Sequence, residues 1–297
     1  ADLGHTALFP ALFSGGALHI VSRQCAMSGP QLADYIEREG IDLLKIVPSH
    51  LEALLQSTDR PERLIPAKCL VLGGEPTSWS LVDRVRALKP GCTVINHYGP
   101  TETTVGVSTM RLSDVVDRLS EMPAIGRPLA NVSLVVLGEH LDLKPISVAG
   151  ELYVGGRQVS RGYLNSNQVT EQSFINNPFG KGRLYRTGDR ARVLPDGTLQ
   201  LLGRLDNQVK LRGFRIELGE IEARLGECEG VGEVVVRARE DTPGEKRLVA
   251  YYTAEAASGD AAVTQGGARP SADVLRGQLA SRLPEYMVPA AFVELPR

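Results

Sequence analysis

The sequence predicts an α/β fold in two unequal domains. The larger is a layered α/β/α core on a parallel sheet with a small antiparallel β subdomain, and the smaller is an α+β domain at the C-terminal side. Three observations carry that expectation. Between residues 28 and 97, amphipathic helices alternate with short apolar strands. Past about residue 111 the pattern changes to short strands separated by turn sequences such as Leu194-Pro195-Asp196-Gly197. From about Asp206, helical and strand-like segments return in a shorter array. The expected boundaries are 1–204 for the large domain, α/β to about 110 and β-rich from about 111, and 205–297 for the small one. A length of 297 residues agrees with about two domains.

Each element follows from local chemistry. Residues 3–22 carry no Asp, Glu, Lys or Arg, yet include His5, Pro10, Gly15, Gly16 and His19, so they read as a buried helix and strand and not as a membrane span. Gly29-Pro30 opens a helix with Leu32, Tyr35 and Ile36 on one face, and Gly40 ends it before a strand at 43–47. Ser49 and Glu52 have capping-box spacing and open the next helix, with Leu51, Leu54 and Leu55 on its apolar face. A strand at 68–72, a helix bearing Leu81, Val82, Val85 and Leu88, and a strand at 93–96 complete the series. Strands this uniformly apolar imply a parallel sheet covered on both faces, which binds ligands at the carboxyl ends of its strands. In the small domain a helix is expected at 218–225, strands at 234–239 and 247–253 joined across Pro243-Gly244, and a helix at 274–283; the Ala/Gly/Ser-rich stretch 254–271 reads as a flexible connection.

Charge and composition exclude several classes. Hydrophobic residues make up 42% and charged residues 23%, as in ordinary globular chains, which argues against wholesale disorder. Lys and Arg total 33 against 35 Asp and Glu, a formal charge of -2, so no basic field exists to hold nucleic acid or an anionic membrane. An anionic ligand has to be gripped locally. The four cysteines lie far apart, with no CxxC pair and no His at ligand spacing, which indicates neither a disulfide framework nor a zinc site and fits a reducing, cytoplasmic setting.

Three consecutive strands end in unusual residues. The first holds Lys45, the second runs into Gly73-Gly74-Glu75, and the third into His97-Tyr98-Gly99-Pro100-Thr101-Glu102. A lysine in a buried strand is costly unless it meets an anion; on an edge strand it can instead snorkel to solvent. The glycines and His97 at the same sheet edge favour the first alternative. The run 96–102 also joins an aromatic able to stack on a base, a hydroxyl able to bond a phosphate and a carboxylate able to hold Mg²⁺.

That run, NHYGPTE, resembles the adenylate-forming superfamily in the form it takes in adenylation domains of nonribosomal peptide synthetases. Four further segments match in family order: GELYVGG with RGYLN within 150–165, YRTGD at 185–189, GRLDNQVKLRGFRIELGEIE at 203–222 and LPEYMVP at 283–289. Singly, GELYVGG and YRTGD read as turns, 210–222 as a solvated charged run whose glutamates favour a helix start, and Tyr286 and Met287 as packing residues. Five such segments in order span nearly the whole chain.

The resemblance implies the adenylate-forming fold in partial form, ATP and Mg²⁺ as cofactors, and the following roles. Tyr98 stacks on adenine with Asn96 nearby, and Gly74, Glu75 and Gly99 belong to the same nucleotide site. Thr101 contacts the α-phosphate, Glu102 holds the metal, Asp189 accepts from the ribose hydroxyls and Arg204 lies close to the nucleotide. Asp206 is the hinge, and Gly213 lies on the loop that faces the carrier's pantetheine arm in the second half-reaction. Asp2 binds the substrate's α-ammonium group. Leu3, Thr6, Lys45 and Val71, with Gly73, His97 and Val105, surround its side chain. Two potential cations in a small pocket resemble the family's aspartate pattern, and a bound carboxylate would favour a protonated His97. Asparagine or a β-substituted aspartate, a free-standing acyl- or aryl-acid ligase, and a silent docking scaffold are the alternatives. The implied partners are a peptidyl carrier protein with its phosphopantetheine, a condensation domain in the same polypeptide and a small accessory protein, with no nucleic acid and no membrane. The family's phosphate loop and catalytic lysine would lie before Ala1 and after Arg297, so the chain is expected to be truncated at both ends and poorly active alone.

Overall fold

The computed structural model describes residues 2–118, 120–241, 246–254 and 270–296. The chain forms two compact units, Ala1–Leu205 and Asp206–Arg297. In the first, helix α1 (His5–Ser14) stops at Gly15, whose φ of 73° suits a left-handed C-cap. No residue of α1 is buried, Phe9, Leu12 and Phe13 are exposed, and residues 15–22 form no strand. The expected buried helix and strand is therefore corrected to an exposed helix and an irregular segment. Apolar residues circle α1, so no single stripe is set aside to seat it on a sheet.

Helix α2 (Arg23–Ala26) is capped by Ser22, and α3 (Gly29–Glu39) begins with Pro30 in its first turn and ends at left-handed Gly40, burying Leu32, Ala33 and Ile36. Strand β1 (Leu43–Ile46) leads into α4 (Pro48–Gln56), then β2 (Cys69–Gly73), α5 (Trp79–Leu88) and β3 (Thr93–Tyr98). The Ser49/Glu52 capping box does not form. Pro48 occupies the first turn of α4 with its preset φ, Val47 precedes it without a side-chain cap, and the Ser49 amide donates to the Glu75 carboxylate at 3.3 Å.

The first sheet has the order β1-β2-β3-β4-β5. Strands β1 to β3 are parallel, and β4 (Ser108–Arg111) and β5 (Arg127–Pro128) add antiparallel, so the sheet is mixed and not wholly parallel. The change of direction comes from the tight reversal between Gly99 and Gly106, which folds β4 back along β3. Leu51, Leu64, Leu70, Leu72, Val82, Val85 and Val94 form the fully buried centre of this core.

The second sheet of this unit is antiparallel, with the order β10-β9-β7-β6 and β8 on β9. It comprises β6 (Val132–Leu137), β7 (Gly150–Gly156), β8 (Phe174–Asn176) after α6 (Asn167–Ser173), β9 (Arg183–Val193) and β10 (Leu199–Arg204). The Leu194–Gly197 turn joins β9 to β10, closed by Gly197 N–H donating to the Leu194 carbonyl at 2.8 Å.

In the second unit, β11 (Gln208–Leu211) and β12 (Phe214–Glu217) pair as a hairpin that precedes α7 (Leu218–Gly226). Strands β13 (Val231–Glu240) and β14 (Lys246–Ala254) run antiparallel, and β15 (Ala291–Glu294) follows α8 (Ala272–Ala280) to pair parallel with β14. Ile221, Leu225, Val236, Ala250, Leu275 and Leu279 fill its core. The Pro243-Gly244 turn and the body of the 254–271 connection lie outside the described residues.

Most charged residues of the run 210–222 are exposed, and Glu220 lies in the first turn of α7. The Glu217 carboxylate accepts from the Gln208 amide, and that of Glu222 accepts from Val236 N–H at 2.8 Å. The two-residue connection Arg212-Gly213 has φ of 51° and 79°, the pair of positive values that a tight hairpin turn requires. Gly213→Ala is expected to destabilise this unit by about 1–2 kcal/mol, the usual left-handed penalty for an L-residue, and Arg212→Asn to stabilise it, both read from thermal denaturation midpoints.

Candidate active site

Strand pairing places the expected pocket residues on one face of the first sheet. Lys45 is opposite Val71, Val71 opposite Ile95, and Gly73 opposite His97. Registered parallel residues share a face, and residues two apart along a strand return to it. Leu70, Leu72 and Val94, on the other face, belong to the core. At the head of the pocket face the Lys45 ammonium donates to Thr6 Oγ1 at 2.7 Å and meets His97 Nδ1 at 2.7 Å. β1 is an edge strand among the described residues, yet Lys45 is half-buried and turned toward the neighbouring strand end.

This contact fixes the state of the imidazole. An ammonium has donors only, so His97 Nδ1 is the acceptor and the ring proton sits on Nε2. On that reading the positive charge of this contact is on Lys45, one of the two potential cations that the sequence offered. Nε2 lies against Gly106, where an added Cβ would stand 1.9 Å from it. A Cβ on Gly73 would stand 2.6 Å from the His97 carbonyl oxygen, and one on Gly74 would stand 3.2 Å from the Leu3 side chain.

The loop after β3 is held from the segment 158–163. Gly99 packs so closely on the returning chain that a Cβ there would fall 2.3 Å from the Val105 carbonyl oxygen. Thr101 is exposed at the start of a short 3₁₀ turn, and Glu102 in the same turn accepts from the Tyr163 hydroxyl at 2.6 Å. Burial and the Glu102 carboxylate push the Tyr163 phenol well above its ordinary range. Ser160 N–H donates to the Glu102 carbonyl at 2.8 Å. Thr104 and Val105 both have positive φ, 59° and 69°.

Tyr98 follows His97 directly and so faces the opposite side. Its ring is buried with Val107, Ile125, Leu152 and Val154, and its hydroxyl donates to Asp189 Oδ2 at 2.5 Å. Asp189 Oδ1 receives Arg204 Nη1 at 3.0 Å, with side-chain exposures of 7% and 17%. Burial first, and then the Asp189 charge, holds the Tyr98 phenol far above its usual pKa. The Asp189 amide donates to Thr187 Oγ1, which itself donates to the Leu152 carbonyl. The turn before Asp189 is fixed by Glu151, whose carboxylate accepts from Arg186 Nε at 2.9 Å and Gly188 N–H at 3.2 Å. Asn96 is buried and bridges Thr77 and the Ala124 carbonyl.

The structure therefore brings Thr6, Lys45, Val71, Gly73 and His97 together on one face, and Tyr98, Asp189 and Arg204 into a second cluster. Glu75 stands at the N-terminus of α4. Asp206 and Gly213 belong to the second unit, where Asp206 Oδ1 accepts from Gln208 N–H at 3.1 Å. The Asp2 side chain lies outside the described residues. Sequence reasoning missed Gln158, Tyr163 and Glu151. The last two sit inside the motifs RGYLN and GELYVGG, and a hydroxyl and a carboxylate within segments otherwise suited to turns were the available signal.

Arg204→Met should cost about 3 kcal/mol in chemical denaturation, toward the lower end for breaking a buried pair. Asp189→Asn should bring the Tyr98 pKa down, read by alkaline ultraviolet titration. Because the Tyr98 shift is upward, its stabilising contribution is full below the ordinary tyrosine pKa of about 10 and is lost as pH rises beyond it.

Residues 1–164 match the model for "AMP-binding enzyme" and residues 220–297 that for "AMP-binding enzyme C-terminal domain". The chain is 40% identical over 301 residues to bacitracin synthase 3 of Bacillus licheniformis, covering 99% of this chain and 4% of that protein. It superposes with a TM-score of 0.79 on PA1221, an NRPS protein containing adenylation and PCP domains, at 27% identity over 100% of this chain and 56% of that one. It is also similar to holo-AB3403, a four-domain nonribosomal peptide synthetase bound to AMP and glycine, at a TM-score of 0.61 and 35% identity over 100% of this chain and 21% of that one. The fold is that of the adenylate-forming enzymes, and the chain, akin to peptide synthetases many times its length, belongs to the AMP-binding enzyme family.

Proposed function

We propose that this chain performs amino-acid adenylation for a nonribosomal peptide synthetase. It would convert an amino acid and ATP to aminoacyl-AMP and pyrophosphate, and pass the acyl group to the phosphopantetheine thiol of a peptidyl carrier protein. The AMP and glycine bound by AB3403 support the reaction class. The favoured substrate is L-aspartate, and the observation that carries it is the Lys45 cluster. One ammonium is held between a hydroxyl and a neutral imidazole, each at 2.7 Å. A side-chain carboxylate would be attracted to this ammonium and accept from Lys45 or Thr6, whereas an apolar side chain would bring apolar surface against a charged group. Leu3 beside Gly74 favours a short side chain, so aspartate is preferred to glutamate.

The reaction needs no nucleophile from the chain. An oxygen of the amino acid's α-carboxylate attacks the α-phosphorus, and the bond from that phosphorus to the pyrophosphate oxygen breaks. Thr101 donates to the α-phosphate. Asp189 orients the ribose, since each carboxylate oxygen has two acceptor positions and Tyr98 and Arg204 are placed to use one apiece. Tyr98 underlies the adenine and holds Asp189 in place. Glu102 offers a hard oxygen donor whose direction Tyr163 sets. Mg²⁺ is usually bound through one or two carboxylates with nucleotide phosphates, and Glu102 fits that use; when bound, the ion neutralises phosphate charge. Asp2 pairs with the substrate ammonium. In the second step the carrier thiolate attacks the acyl carbon and AMP leaves, with Asp206 as the hinge and Gly213 on the facing loop.

Amino-acid-dependent ATP–pyrophosphate exchange by the full-length protein tests this reading. Aspartate should be the best substrate, and Lys45→Met should lower its kcat/KM by about 10- to 150-fold, the worth of a charge-assisted hydrogen bond. Strong exchange with asparagine or leucine and none with aspartate would overturn it.

A further inference from the structure

The reversal between β3 and β4 contains two successive non-glycine residues at positive φ, Thr104 (59°) and Val105 (69°). For a β-branched residue this conformation is a true outlier, and such residues persist only where their surroundings over-determine them. Gly106 N–H closes the turn on the Thr104 carbonyl at 3.0 Å, and a residue on a different segment braces it from outside. Gln158 Nε2 donates to the Thr103 carbonyl at 2.8 Å and to the Gly106 carbonyl at 2.7 Å, and the main-chain carbonyl of Gln158 accepts from Thr104 Oγ1 at 2.8 Å. Three hydrogen bonds thus bracket the four residues 103–106. One amide group uses both donors on carbonyls at either end of the strained pair.

The bracketed turn borders the Lys45–His97 cluster. Gly106 lies directly against His97 Nε2, and the other ring nitrogen meets the Lys45 ammonium. If residues 104 and 105 relaxed to negative φ, the Gly106 backbone would move away from the ring and Val105 would turn. We propose that Gln158 is a positioning residue for substrate selection: it holds the 103–106 turn in its strained form, which keeps His97 in one orientation and tautomer and fixes the depth of the side-chain pocket. This rests on the adenylation reading for what the pocket binds, but the structural link from Gln158 to His97 does not.

The test uses Gln158→Met, which keeps the length of the side chain without its donors, and Gln158→Glu, which puts a carboxylate against two carbonyl oxygens. In pyrophosphate exchange by the full-length protein, Gln158→Met should raise KM for aspartate about tenfold, the worth of two neutral hydrogen bonds. KM for ATP should stay unchanged and the preference for aspartate over glutamate should narrow. Gln158→Glu should show a larger defect that eases as pH falls and the carboxyl regains a proton to donate. Independently of turnover, ¹⁵N chemical shifts of His97 should report a single Nε2–H tautomer in the parent and a mixed population in Gln158→Met. Unchanged KM, preference and ¹⁵N shifts in Gln158→Met would overturn the proposal. So would equal losses for ATP and aspartate with a lowered melting temperature and unchanged ¹⁵N shifts. If the parent prefers another amino acid, the substrate assignment falls, and the same KM split measured with that amino acid still decides the role of Gln158.

Discussion

The pleat of one strand end organises the whole candidate site. His97 and Tyr98 are consecutive on β3, so their side chains leave the sheet on opposite faces. One meets Lys45 across the neighbouring strands; the other meets Asp189 from the second sheet. A slip of one residue in the β2–β3 register would exchange these faces and dissolve both clusters at once. Val94 of β3, with Leu70 and Leu72 of β2, holds that register from within the core.

Charge is handled in the same way in both clusters. A near-neutral chain offers no long-range field, so each ionic group is set by close neighbours. Asp189 is nearly buried and stands between a guanidinium and a phenol, and Glu151 supports its turn through Gly188. Lys45 stands between a hydroxyl and an imidazole. Fixed partners of this kind cost no reorganisation when a ligand's charge arrives, which is the condition for electrostatic stabilisation of a reacting group.

Much of this was legible in the sequence because it depends on local signals. The alternation of helices and apolar strands, the Gly40 stop and the Leu194–Gly197 turn each state their conformation within a few residues. Lys45, Gly73 and His97 could be grouped because consecutive parallel strands deliver their ends to one edge. The antiparallel return of β4 was not legible, since it is set by the close packing of Gly99 against Val105 and Gly106 and not by any periodicity. Nor were the supports Gln158 and Tyr163, which reach the 99–106 loop from more than 50 residues away in sequence. In the charged run 210–222 the exposure of most charged residues and the helix start were legible, while the hairpin set by the Arg212-Gly213 dihedrals was not.

The contact between Gly106 and the His97 ring ties two positions together over evolutionary change. While an imidazole occupies position 97, no side chain fits at 106, because even a methyl group would overlap Nε2. Replacing His97 by a small residue frees space that glycine cannot fill, which leaves a cavity beside a charged lysine. A chain that changes position 97 has to pass through such a cavity or change both positions together, so this part of the candidate site is buffered against single substitutions and is altered most readily through paired ones.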